Sequence, residues 1–175
     1  MIRKFLALVV ASLALVGCAP QAQTGEFSGL DVMFAQMMIP HHEQAVLMSE
    51  LAPERSSDPE VLAIAQEIRA AQQPEIDQMK DILDRAGATL MPMDSHAGHN
   101  MAGMLTDSQL AALEAASGAE FDRLFLEGMI EHHEGAIDMA NDVVDSKNQE
   151  VQDLAKAIIS AQQDEIARMQ SLLSR

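Results

Sequence analysis

Residues 34–48 read FAQMMIPHHEQAVLM and residues 125–139 read FLEGMIEHHEGAIDM, so one histidine-containing motif occurs twice in the chain. Each copy is followed by a second matching segment, VLAIAQEIRAAQQPEIDQMKDILDR at 61–85 and VQDLAKAIISAQQDEIARMQSLLSR at 151–175. Self-similarity of this kind indicates a duplicated structural unit. Two copies of one unit therefore account for most of the chain.

Both segments of each unit have the apolar periodicity of a helix. In the first copy, Phe34, Met38 and His41 follow one another at steps of four and three, and the second copy keeps these steps, which places the residues on one helical face. Short breaks at APERSSDP (52–59) and around SKNQ (146–149) separate the helices of each unit. Because such short connections join antiparallel neighbours, we predict an all-α four-helix bundle made of two repeated hairpins.

The segment between the hairpins, GATLMPMDSHAGHNMAGM, keeps neither a helical nor a strand period, which indicates a linker. Thr106 with Gln109 predicts a capping box that opens a short extra helix after the linker. Ser117 with Glu120 predicts another that opens the third long helix. We assign a tether to 18–29 and the bundle to 30–175, with the first repeat at 30–86, the Met/His linker at 87–105 and the second repeat at 106–175.

The N-terminus has the features of a bacterial lipoprotein signal. Arg3 and Lys4 precede the apolar run FLALVVASLALV, which is short for a membrane span, and LVGC at 15–18 ends it. We predict that residues 1–17 are a signal peptide and that Cys18 is lipidated, which anchors the protein on the periplasmic side of the cell envelope. The alternative, an ordinary signal peptide with a chance cysteine, also implies export.

Composition narrows the range of partners. The formal net charge of −16 argues against nucleic acid and anionic lipid surfaces and is compatible with cations. Trp and Tyr are absent, which argues against a platform for stacking bases. The single cysteine excludes a disulfide within one chain.

All six histidines fall in three clusters, one in each motif copy and one in the linker. His41 and Gln72 lie at similar distances from their hairpin loop, as do His132 and Gln162, so equal rise per residue puts each pair at one height. A twofold relation between the hairpins would bring both pairs together midway along the bundle. The predicted centre consists of His41, His132, Gln72, Gln162, Glu75 and Glu165, with the glutamines and glutamates supporting the histidines.

This centre also has a simpler interpretation. A histidine on an apolar helix face is more often a hydrogen-bonded core residue than a metal ligand. Methionines at helical spacing are, by themselves, typical of core packing. Since neighbouring helix residues diverge by roughly 100°, we expect His42 and His133 at the edge of the stripe, and Glu43 and Glu134 on solvated faces or behind the ligands.

The linker favours a soft metal ion. Its methionines lie among Pro and Gly, where helical core packing does not explain them. Thioether sulfur is a soft donor and imidazole is borderline, a mixture that suits Cu(I) better than hard cations. A flexible loop that is Met-rich by chance is the alternative. The candidate ligands here are Met91, Met93, His96, His99, Met101 and Met104.

Two prolines fall inside the predicted helices of the first copy. Proline lacks an N–H and its ring clashes with the carbonyl four residues earlier, so Pro40 and Pro74 predict bends at the level of the histidines. The second copy has no proline at either position. Such a bend could open room for an ion or be a tolerated feature of packing.

The paired motifs MI-x-HHE-x-A-(I/V)-x-M and AQQ-x-EI-x-x-M closely resemble those of the domain-of-unknown-function family DUF305, over residues 30–175. That family adopts a ferritin-like four-helix bundle and includes periplasmic copper-binding proteins of the CopM type. The resemblance implies copper binding in the cell envelope, with a role in copper tolerance or trafficking. It implies the ligands Met38, His41, His42, Met48, Met129, His132, His133 and Met139. The first copy has Gln44 where the second has Gly135. The two halves of the metal site, one from each copy, therefore need not be equal.

Three functions are compatible with the sequence. The leading hypothesis is a lipid-anchored Cu(I) buffer or chaperone without turnover, whose partners are copper ions and a copper-transfer protein or a second copy of the chain. A ferritin-like dinuclear oxidase is the second, but such centres use Glu-x-x-His motifs, and the chain contains none. The third is a metal-free helical interaction module.

Overall fold

The computed structural model describes residues 25–90 and 101–175, and within them the chain is entirely helical, with no strand. Four long helices form an antiparallel bundle, and a short helix lies in the connection between the hairpins. This confirms the predicted all-α bundle and its extra helix. The helices are α1 (Gly29–Arg55), α2 (Pro59–Ala86), α3 (Asp107–Ala115), α4 (Ala119–Asn141) and α5 (Gln149–Leu173).

The helices pair as two hairpins. α1 packs along α2, and α4 packs along α5, while the hairpins meet chiefly through α1 and α4. The helices of the described parts include none apolar enough over sufficient length to cross a bilayer. The signal peptide, Cys18 and most of the Met/His linker lie outside the described residues, so the predicted tether and lipid anchor stay predictions.

The start of α1 also joins the two hairpins. Ser28 and Asp31 form a capping box, in which the Ser28 hydroxyl accepts from the Asp31 amide at 3.2 Å and the Asp31 carboxylate accepts from the Ser28 amide at 2.7 Å. The other oxygen of Asp31, a buried residue, accepts from the Ser146 hydroxyl at 2.7 Å, in the turn between α4 and α5. One carboxylate therefore caps a helix and ties it to the opposite hairpin.

One of the two predicted capping boxes is correct. The box of Thr106 and Gln109 is confirmed, since the Thr106 amide donates to the Gln109 side chain at 2.9 Å and the Gln109 amide donates to the Thr106 hydroxyl at 3.3 Å. The box of Ser117 and Glu120 is wrong. The N-cap of α4 is Gly118, whose φ of 59° suits glycine and whose amide donates to the Arg55 carbonyl at 2.7 Å.

The break between α1 and α2 is shorter than the sequence indicated. Helix α1 continues through Pro53 to Arg55, and Asp58 caps α2 by accepting from the amides of Glu60 at 2.8 Å and Val61 at 3.3 Å. Pro59 occupies the first helical position, where a missing N–H costs nothing. Both helices are unbroken through Pro40 and Pro74, and a bend at these residues stays a prediction.

The bundle interior consists of two apolar clusters. One packs the first half of α1 and the second half of α2 against the end of α4 and the start of α5, and it includes Phe34, Met38, Met79 and Ile158. The other packs the opposite halves of these helices, including Met48 and Phe125. On every long helix, buried polar residues separate the two clusters. The fold therefore holds a polar layer at mid-height.

Candidate metal centre

The polar layer contains the histidines of both motif copies. The four imidazoles are completely buried, and the two glutamine side chains beside them are 2% exposed. We call this set the histidine layer; its members are His41, His42, Gln72, His132, His133 and Gln162. Burying so many polar groups is unfavourable unless each finds a partner, so their contacts decide what the layer can do.

His41 and His132 meet across the interface between the hairpins. Their ring centroids are 3.8 Å apart, and the ring planes are inclined by 42°. His41 belongs to α1 and His132 to α4, at equivalent positions of the two motif copies. The structure thus places the two residues together at mid-bundle, as equal rise along the helices predicts.

His42 and His133 face the partner helix of their own hairpin. Nε2 of His42 lies 2.9 Å from a carboxylate oxygen of Glu75, and Nε2 of His133 lies 2.7 Å from one of Glu165. We predicted these histidines at the edge of the stripe, and that is wrong, because both are fully buried. The rotation of roughly 100° between neighbouring residues turns them toward α2 and α5 rather than toward solvent.

The hydrogen bonds of three imidazoles indicate which ring nitrogen carries the proton. A carboxylate or carbonyl oxygen can only accept, so the Nε2 atoms of His42 and His133 carry the proton and donate to glutamate. Nε2 of His41 likewise donates to the carbonyl oxygen of Ala102 at 3.1 Å. In the neutral form of each of these rings, Nδ1 is therefore the nitrogen with the lone pair.

Several buried atoms of the layer have no hydrogen-bond partner in the described parts of the chain. They are Nδ1 of His41, His42 and His133, both ring nitrogens of His132, and both amide atoms of Gln72 and Gln162. An unsatisfied buried polar atom costs roughly 1–3 kcal/mol, so a cluster of them needs an explanation such as a bound ion or water. The arrangement also matches metal-binding histidine, in which a carboxylate or carbonyl holds one nitrogen and the other binds the ion.

Burial keeps the central imidazoles neutral. Desolvation, reinforced by the neighbouring His42 and opposed by the Ala102 hydrogen bond, lowers the pKa of His41 to about 3. Desolvation, followed by the proximity of His41 and His133, also lowers the pKa of His132 well below its usual value. At neutral pH both rings therefore present lone pairs, which is the form that binds metal ions.

The donor set of the layer is mixed. Among residues 25–90 and 101–175, no three His, Cys, Asp or Glu side chains are grouped so as to hold a metal ion. An ion in the layer would therefore need thioether or amide donors beside imidazole. Such a set of few carboxylates and several nitrogen and sulfur donors fits a soft or borderline ion such as copper.

Methionines lie on both sides of the histidine layer. Met38 is fully buried in one apolar cluster, with Met139 packed half-buried against it, and Met48 and Met129 are fully buried in the other. Met38, Met48 and Met129 pack as core residues in the structure, and Met139 lies at the edge of its cluster. Their sulfurs are also the thioethers available next to the layer, one pair toward each end of the bundle.

Glu43 and Glu134 lie away from the histidines. Both are exposed, and Glu43 pairs with Lys80 at 3.1 Å on the surface. No hydrogen bond joins either carboxylate to an imidazole within the part of the chain that is described. The carboxylates that support the layer are Glu75 and Glu165, because they belong to the helices that His42 and His133 face.

Sequence reasoning missed a backbone segment that covers the layer. We call residues 101–105, the last five of the Met/His linker, the strap. The Gln44 side chain holds it by accepting from the Leu105 amide at 2.8 Å and donating to the Leu105 carbonyl at 3.1 Å. Through Ala102, the same segment supplies the carbonyl that accepts from His41.

Glycines let the strap approach α4. A Cβ atom on Gly135 would overlap the carbonyl of Ala102, and one on Gly103 would overlap the carbonyl of Glu131. Gly103 also has a φ of 82°, which favours glycine. The sequence signal for this contact was the difference between the motif copies, Gln44 in one and Gly135 in the other. Gln44 holds the strap from the first hairpin, and Gly135 leaves room for it on the second.

The linker itself is described only at its two ends, residues 87–90 and 101–105. Met91, Met93, His96 and His99 lie outside the described residues, so their role stays a prediction. Met101 and Met104 belong to the strap and are half-buried, with the Met104 amide donating to the Met101 carbonyl at 3.2 Å. Two of the six candidate ligands of the linker are thus anchored near His41.

Fold and site together define a class of protein: a bundle of two helical hairpins that encloses buried histidines between methionine-containing clusters. The sequence matches a known family over residues 31–173, which is most of the chain. The chain belongs to the family described as domain of unknown function DUF305.

Solved structures of related proteins share the fold. A DUF305 fragment from Deinococcus radiodurans is 32% identical, with a TM-score of 0.77 over 85% of this chain and 97% of that one. CopM in the Cu(I)-bound form is 31% identical, with a TM-score of 0.69 over 82% of this chain and 95% of that one. CopM in the Cu(II)-bound form is 34% identical with a TM-score of 0.71, at the same coverage.

A curated relative matches over a shorter stretch. Uncharacterized protein L153 of Acanthamoeba polyphaga mimivirus is 41% identical over 54 residues, which are 31% of this chain. The matched stretch spans 36% of the length of that viral protein.

Proposed function

We propose that this chain binds copper, as Cu(I), in the histidine layer and acts as a copper buffer or chaperone without turnover. The observation that carries the proposal is the set of buried imidazoles that keep a ring nitrogen without a hydrogen-bond partner among the described residues. Neutral imidazole with its other nitrogen held by an acceptor is a prepared metal ligand. The Cu(I)-bound form of CopM gives independent support at the level of the family.

The choice of ion follows from the donors. Cu(I) accepts imidazole and thioether ligands in low coordination numbers, whereas hard ions need several carboxylates. Only Glu75 and Glu165 bring carboxylates to the layer in the described parts of the chain, and each already accepts from a histidine. A dinuclear iron oxidase would require more oxygen donors than these.

The test is an anaerobic competition titration of the purified protein with a chromogenic Cu(I) chelator. The variant H41N/H132N is expected to lose Cu(I) binding by the layer, because it removes the two central imidazoles while keeping polar side chains. The variant E43Q/E134Q is the matched control, since both glutamates lie on the surface. Equal Cu(I) affinity and stoichiometry in H41N/H132N and wild type, with both proteins folded by circular dichroism, would overturn the proposal.

We also propose that the Met/His linker contributes Cu(I) ligands. The variant in which Met91, Met93, His96, Met101 and Met104 are replaced together is expected to bind fewer Cu(I) equivalents than wild type. Circular dichroism checks that the helices are retained, since Met101 and Met104 lie in the strap. Unchanged stoichiometry and affinity would remove the linker from the proposal.

Export and lipid anchoring complete the proposed role. The N-terminal sequence supports both, and the related protein of Streptomyces coelicolor, 32% identical with a TM-score of 0.75, is described as secreted. We expect wild-type protein in the membrane fraction of its bacterial host and the variant C18A outside it. Recovery of both proteins from the same fraction would contradict lipidation at Cys18.

A further inference from the structure

A small groove opens on the bundle surface between the first part of α1 and the end of α4. Its cavity of about 40 Å³ is lined by three methionines and one carboxylate among apolar neighbours: Met33, Met37, Met139 and Asp142. A cavity of this size holds about one ion or water molecule.

The three methionines line the groove from two helices. Met33 and Met37 are one turn apart on α1 and therefore share a face, while Met139 reaches the groove from α4. Met33 is 43% exposed, and Met37 and Met139 are half-buried, whereas the neighbouring Met38 is completely buried. The groove methionines are thus accessible to an ion from solvent, unlike the methionines of the core.

We propose that this groove is a second site for a soft monovalent ion, Cu(I) or Ag(I), held by the sulfurs of Met33, Met37 and Met139. Thioethers are uncharged, soft donors that favour such ions over Mg²⁺, Ca²⁺ or Zn²⁺. Asp142 at the groove and the net charge of −16 favour a cation there. The proposal shares its soft-metal chemistry with the proposed function but needs no imidazole of the histidine layer.

The groove is also close to that layer. Met37 precedes His41 by one helical turn on α1, and Met139 follows His132 by two turns on α4. Residues at these spacings lie along one side of a helix. An ion captured from solvent in the groove would therefore lie one to two helical turns from the level of the buried histidines, on the same side of α1 and α4.

The experiment is a titration of the purified protein with Ag(I), which is stable in air, monitored by NMR of ¹³C-methyl methionine and ¹⁵N-histidine. The methyl signals of Met33, Met37 and Met139 are expected to shift together. The variant M33L/M37L keeps the apolar volume, leaves Met139 available to the histidine layer, and is expected to bind one Ag(I) fewer than wild type. The control M79L/M169L changes two fully buried core methionines and is expected to keep the wild-type stoichiometry.

The methionine and histidine NMR signals distinguish Ag(I) binding in the groove from Ag(I) binding in the histidine layer. If the imidazole signals shift while the three methyl signals do not, the groove is overturned and the proposed function stands. If the methyl signals shift while the imidazoles do not, the groove stands and binding by the layer is overturned. If M33L/M37L binds as much Ag(I) as wild type, the groove is overturned.

Discussion

At the scale of single residues, adjacent histidines have different partners. His41 faces His132 across the hairpin interface, whereas His42 donates to Glu75 within its own hairpin. The sequence indicated that the first histidine of each motif points inward, because it continues the apolar stripe. It could not indicate where the second one points, since that depends on the position of a carboxylate in a neighbouring helix.

The glutamates that hold His42 and His133 should influence metal affinity. In the variant E75Q/E165Q, neutral amides replace the carboxylates that orient these rings. Loss of such a supporting partner weakens metal binding by roughly 10–100-fold, and we expect a decrease of this size in Cu(I) affinity. Chelator competition measures the change, and E43Q, which loses only a surface ion pair, should bind like wild type. Equal affinities would show that the carboxylates have no part in binding.

The metal-free protein should lose stability in mild acid. His41 has a folded pKa of about 3, and that of His132 is also lowered, whereas the unfolded value is about 6.5. The unfolded chain therefore takes up protons first as the pH falls below 6.5, and it does so increasingly down to pH 3, so the free energy of unfolding decreases over this range. Urea denaturation at pH 7.5 and pH 5 measures the loss.

Two features isolate the histidine contribution to this loss. The exposed glutamates with lowered pKa values, such as Glu67 and Glu120, titrate below their ordinary value of 4.5, so they contribute at lower pH. In H41N/H132N the decrease between pH 7.5 and pH 5 should be smaller than in wild type. An identical decrease in both proteins would contradict neutral, buried imidazoles.

At the scale of elements, the strap explains why the motif copies differ. Gln44 clamps Leu105 from α1, and Gly135 leaves room for Ala102 on α4. Hydrophobic periodicity predicted both hairpins, and the capping box at Thr106 predicted the short helix, because both signals depend on local sequence. The course of the strap depends on tertiary contacts. In the sequence it was indicated only by Gln44 and Gly135, which differ between the two motif copies.

Helix caps show the same division between local and tertiary causes. The box at Thr106 was predicted from two residues that contact each other. The box at Ser117 was wrong because the chain turns at Gly118, whose amide bonds to the end of α1. A cap that is set by a distant carbonyl cannot be recognised from neighbouring residues.

Substitution of Gly135 should displace the strap. The added methyl group of G135A would overlap the Ala102 carbonyl, and overpacking of this kind typically costs about 1–3 kcal/mol. We expect a decrease of that size in the free energy of unfolding, measured with urea. G29A is the control, because a Cβ atom there meets nothing within 4 Å, and its stability should be unchanged or slightly raised. Equal stabilities of G135A and wild type would contradict the close packing of the strap.

At the scale of the whole molecule, the bundle places a polar layer between two apolar clusters. The clusters provide the hydrophobic driving force, and they exclude water from the four imidazoles between them. The duplicated sequence predicted that equivalent residues would meet at mid-height. It could not predict that both histidines of each motif would be buried, which makes the layer larger than the single pair of imidazoles expected.

Copper should stabilise the folded protein as a whole. A ligand that binds the native state preferentially raises stability by RT ln(1 + [L]/Kd), which is about 2.7 kcal/mol at a hundredfold excess over Kd. We expect anaerobic Cu(I) to raise the melting temperature of wild type, and to raise that of H41N/H132N less. A melting temperature that does not respond to Cu(I) would favour a metal-free interaction module.

The most direct measurement is anomalous X-ray diffraction at the copper edge from crystals of the Cu(I)-loaded protein. If the histidine layer binds copper, an anomalous peak will lie within coordination distance of Nδ1 of His41, His42 or His133, or of either ring nitrogen of His132, the nitrogens that lack partners among the described residues. Peaks confined to other parts of the protein, with these imidazoles arranged as they are without copper, would contradict the central claim.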